Sequence, residues 1–126
     1  MGLDMYAHTV RKASKVGPVP NHIPEEDYLN PDLHYWRKHP NLHGWMEALY
    51  REKGGTDETF NCVYVELTSE DLDRLEAAIK SGELPETSGF FFGQTVGDET
   101  EDDLQFVADA REAIAEGERV FYSSWW

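Results

Sequence analysis

Apolar and polar residues alternate roughly from Leu3 to Val10, with Leu3, Met5, Ala7 and Thr9 on one side and Asp4, Tyr6, His8 and Val10 on the other. A period of two predicts a half-buried strand. The same alternation recurs in Phe60–Leu67, where Val63, Val65 and Leu67 oppose Cys62, Tyr64 and Glu66, and the aromatic segment from Arg119 to Trp126 reads as a final strand. Between these the period changes. Leu42, Trp45, Met46 and Leu49 follow the 3.6-residue repeat of a helix starting at Pro40, whose missing N–H costs nothing in a first turn. Leu72, Leu75 and Ile79 form a second helical stripe, entered through Thr68-Ser69 and stopped at Gly82. A third helix is predicted from about Thr100 to Glu116, with Leu104, Val107, Ala108, Arg111 and Ile114 along its buried side. Gly89-Phe-Phe-Phe-Gly93 reads as a short buried strand.

Residues 11–34 carry Gly17, Pro18, Pro20, Pro24 and Pro31, and are expected to form one long Pro-rich loop, either functional or a flap over the core. The resulting order predicts a single α+β domain over residues 1–126. Its expected architecture is a three- to four-stranded, largely antiparallel sheet with about three helices packed on one face. Strand order does not follow from the pattern.

Composition narrows the class of function. The formal net charge is −14, yet residues 1–53 hold seven acids and seven Lys or Arg, while residues 54–126 hold eighteen acids against Arg74, Lys80, Arg111 and Arg119. Direct nucleic-acid binding is not expected from such a balance, because phosphate recognition needs clustered positive charge. One cysteine, Cys62, excludes an internal disulfide and reads as a small buried hydrophobe in its strand. No apolar run reaches the ~20 residues that span a bilayer, and no leader pattern opens the chain, so a cytoplasmic location without a membrane partner is expected.

Chemistry-bearing residues concentrate at His34–Trp45. Trp36, Arg37, Lys38, Asn41, His43 and Trp45 are the candidate ligand-binding residues, with Tyr6 and Trp125 as closing walls. Backbone N–H groups at a helix start attract anions, a flanking Arg adds a bidentate grip, and imidazoles titrate near neutrality. The competing reading has Trp36 and Trp45 packing in the core while the charges stay solvated. His39 and His43 are four residues apart, but Pro40 places His39 at the cap, so no metal site is expected, and no cofactor motif occurs.

Four blocks carry a resemblance: Met1-Gly2-Leu3-Asp4-Met5-Tyr6; Tyr35-Trp36-Arg37-Lys38 followed by Asn41, His43 and Trp45; Gly89-Phe-Phe-Phe-Gly93; and Tyr122-Ser123-Ser124-Trp125-Trp126. Together they resemble a family of small uncharacterised phage and bacterial proteins. The resemblance implies a compact phage- or prophage-type accessory protein and brings no catalytic residue with it. Some members carry a phosphoglycerate kinase label, which this chain, lacking a nucleotide loop and too short for two domains, does not fit.

The leading expectation is therefore an accessory protein that binds another macromolecule, such as a host or phage protein, through its surface. A ligand-binding protein or enzyme built on Trp36-Arg37-Lys38 and His43 is one alternative. An acidic nucleic-acid mimic that blocks a host DNA-binding or defence protein is another.

Overall fold

The computed structural model describes residues 2–85 and 99–126. Four strands, β1 (Asp4–Arg11), β2 (Tyr28–Arg37), β3 (Tyr64–Leu67) and β4 (Glu118–Trp125), form one antiparallel sheet in the order β2-β1-β4-β3. Three helices, α1 (Pro40–Glu52), α2 (Ser69–Ser81) and α3 (Thr100–Ala115), pack on one face of it. The α+β class is thus the fold of this chain. Among the described residues no helix is long and apolar enough to cross a membrane.

Strand parity decides what each face carries. Met5, Ala7, Trp36, Val65, Val120 and Tyr122 join Leu42, Met46, Leu72, Leu75, Phe106 and Val107 of the helices in the main core. Tyr6, His8, Val10, Phe121, Ser123 and Tyr64 alternate onto the far face. The two central strands are covered on both sides over half their length, because Ile23 packs with Val10 and Phe121 beyond the sheet.

Ile23 belongs to the Pro-rich segment, which is shorter than its sequence suggests. The loop expected over 11–34 ends at Asp27, and β2 begins at Tyr28 despite Pro31. Proline fits there because β2 is an edge strand and its pairing with β1 shifts register between Ala7↔His34 and Thr9↔Asn30. At such a bulge no ladder N–H is required of Pro31. Residues 12–24 form a fastened flap. Ser14 and Arg11 donate to the Asp27 carboxylate at 2.7 and 2.6 Å. Arg119 donates to the Ser14 and Val16 carbonyls while pairing with Glu66. The Pro18 and Pro20 carbonyls accept from the Glu66 and Tyr64 N–H groups, shielding the outer edge of β3.

The second helix follows its sequence signals closely. Thr68 and Asp71 form a reciprocal capping box, and Gly82 ends the helix at φ 71°, a left-handed conformation that costs glycine no steric penalty. Asp71 also accepts from Lys53 Nζ, which ties α1 to the start of α2. Two expectations need correction. The strand expected over Phe60–Leu67 starts at Tyr64; Cys62 is exposed and takes φ 61°, so it stands in a turn and not in an apolar strand. In α3 the buried stripe is Asp103, Phe106, Val107, Ala110 and Ala113, one position away from the stripe read from sequence, which leaves Arg111 outside to pair with Asp73 and Glu76. The Gly89–Gly93 segment lies outside the described residues.

Candidate functional site

Strand parity also separates the candidate residues. Trp36 turns inward and is buried, donating from Nε1 to Asp103 Oδ1 at 3.0 Å. His43 is fully buried with Nδ1 2.7 Å from the Tyr122 hydroxyl, and Trp45 packs half-buried at the core margin. Burial lowers the His43 pKa to about 4. Asn41 lines a shallow groove of about 200 Å³ with His39, Thr100 and Asp103. Arg37 faces the other way, exposed, its Nε 3.8 Å from the Asp4 carboxylate. Lys38 is exposed at the strand end, where φ 55° turns the chain toward α1. His43 and the Arg37-Lys38 pair therefore do not meet around a common hollow.

Tyr6 and Trp125, expected as walls of that hollow, instead share the far face with Arg37. Arg37, Asp4 and Trp125 form one cross-strand row over β2, β1 and β4; Tyr35, Tyr6 and Ser123 form the next. Tyr35 donates to the Asp4 carboxylate at 2.7 Å, which raises its pKa, and its ring stands 5.4 Å from Tyr6. Tyr35 is 51% and Trp125 68% exposed. The flap closes the Val10–Phe121 end of this face, leaving the two rows as its open half.

Two buried polar constellations were not legible as sites. Asp103 accepts from Trp36 through Oδ1 and lies 2.7 Å from His39 Nε2 through Oδ2, joining β2, the start of α1 and the start of α3. The signal for it is spacing, since Asp103 is in register with Phe106, Val107 and Ala110. On the far face, His8 Nδ1 stands 2.6 Å from the Pro31 carbonyl and Nε2 stands 2.6 Å from Ser123 Oγ. A carbonyl only accepts, so Nδ1 carries the proton and the serine hydroxyl donates to Nε2. Burial pushes the His8 pKa below its usual value, against the Pro31 carbonyl and Asp32.

The His8–Ser123 pair has the hydrogen-bond direction of a base and nucleophile. Its surroundings give it a different role. His8 and Ser123 are 9% and 7% exposed, and Tyr28 and Tyr64 flank the imidazole with their hydroxyls 3.1 Å apart. The chain of contacts fastens β2, β1 and β4 to one another. Among the described residues no group of three His, Cys, Asp or Glu side chains is placed to hold a metal ion.

Comparison with protein-family models, with curated proteins and with solved structures gives no match for this chain.

Proposed function

We propose that this protein is a small accessory binding protein that docks a partner protein through the open half of its sheet. The observation that carries the reading is the pair of exposed rings, Trp125 and Tyr35, held on strands with Tyr6 between them and Arg37 beside them. Tyr, Trp and Arg are the residue types that dominate binding energy at protein interfaces, above all on a preorganised surface. Strands whose inner face is locked in the core present such rings with little ordering cost on binding. The Asp4 carboxylate at the centre of the patch and the net charge of −14 oppose a phosphate backbone as the ligand. A host or phage protein as partner, in a phage- or prophage-type setting, rests on the resemblance of the sequence blocks.

The test is a quantitative comparison of proteins retained from extracts of the source cells by the wild type and by a Tyr35→Ala/Trp125→Ala variant. A protein held by the wild type and lost from the variant is the expected result. Identical retention by the two refutes the assignment.

A further inference from the structure

We propose that the groove between β2 and α3 is a second docking site, which takes a lysine- or arginine-rich protein segment. The sheet-face reading is independent of it.

The groove encloses about 350 Å³. Its apolar part is made by Leu29, Leu33 and Ala113, and Leu29 is 54% exposed. Asp109, Glu112, Glu116 and Glu118 line it as well. Asp109 and Glu112 lie three residues apart on α3, and Glu116, four further on, caps its C-terminal end and continues the same row. Ala113 lies on the same side and keeps the floor low.

Several other carboxylates already have a cation beside them, although among the described residues the exposed Glu70 and Glu101 of the helices, like the four in the groove, do not. Asp73 and Glu76 pair with Arg111, Glu52 pairs with Arg74, and Glu66 pairs with Arg119. Among the described residues none of the four groove carboxylates lies within ion-pair distance of a Lys, Arg or His; Asp109 accepts only from Gln105. Their charges are left for a partner to balance.

The shape selects the kind of cation. The carboxylates are strung along the groove and do not converge on one point, so they suit a row of positive groups better than a single metal ion. Lys and Arg bring a long apolar stem beneath a charged head. Stems laid on Leu29, Leu33 and Ala113 leave the heads at the carboxylates. Same-face residues of an extended segment are about 6.6–6.8 Å apart, near the step of about 6 Å from Glu112 to Glu116 and longer than the step of about 4.5 Å from Asp109 to Glu112, a difference that long Lys and Arg side chains span. The register shift and Pro31 in β2 oppose a continuous added strand, so side chains, not a backbone ladder, provide the contact.

A short synthetic peptide alternating arginine with leucine is the probe, with a glutamate-for-arginine version as control. The wild type should bind the basic peptide and not the acidic one, with affinity falling about tenfold or more between low and high salt. Glu112→Gln/Glu116→Gln should weaken binding about tenfold or more, while Trp125→Ala leaves it unchanged. Both Glu residues are exposed, and removing repelling charges should leave the melting temperature equal or higher. Amide shift changes on binding should cluster at residues 29–33 and 109–116. Undiminished binding by the Gln variant, or shift changes spread over the acidic surface or centred on Trp125, overturns the proposal.

Discussion

Trp125 and Trp36 stand on opposite faces of the same sheet, one 68% exposed and the other enclosed by the core with its indole N–H spent on Asp103. Their truncation should therefore separate stability from binding. Trp36→Ala should cost about 3–5 kcal/mol of folding free energy, as removal of a large buried side chain does. Trp125→Ala should stay within about 0.5 kcal/mol. Urea unfolding of the two variants beside the wild type checks both values.

Asp103 should behave as a structural residue. Asp103→Ala leaves the Trp36 N–H and the His39 imidazole without that acceptor in a buried place, a change expected to cost about 3 kcal/mol or more. Asp103→Asn keeps one acceptor and should cost less. The difference between the two midpoints in denaturant measures the arrangement.

The chain should lose stability in mild acid through His43. Its folded pKa of about 4 lies below the 6.5 of an exposed imidazole, so between those values the unfolded chain binds more protons. Stability contributed by the neutral buried ring is complete above pH 6.5 and is lost as pH falls toward 4, by about 3 kcal/mol in all. His8, also lowered by burial, acts in the same direction. Unfolding free energies at pH 7 and pH 4.5 should differ less for His43→Gln than for the wild type. An equal difference would contradict the assignment.

The Thr68–Asp71 capping box gives a local check. Thr68→Ala removes one half of it and should cost about 1 kcal/mol. Asp71→Ala should cost more, because the Lys53 ammonium also loses its carboxylate. Thermal unfolding of both variants distinguishes the two losses.

Elements whose side chains alone set their period were legible in the sequence. β1, α1, α2 and β4 fall within a residue or two of their expected limits, since alternation or a 3.6-residue stripe leaves one face to bury. β2 as a whole was missed, its first half hidden by Pro31, whose tolerance depends on an edge position and a bulge that only the assembled sheet creates. The stripe of α3 was misplaced because a carboxylate opens it: Asp103 is buried by Trp36 and His39, partners more than sixty residues away. The site suffered in the same way. Trp36 and Arg37 are neighbours in sequence and face opposite sides of the sheet, so a dense cluster along the chain became two separate environments in space.

The most direct test of the docking reading is the dissociation constant of a captured partner for wild type, Tyr35→Ala and Trp125→Ala, measured with melting temperatures of the same preparations. Docking on the open sheet face predicts about thirtyfold weaker binding or more for Trp125→Ala, a loss of about 2 kcal/mol, with the melting temperature unchanged. Equal affinity for all three proteins would contradict it.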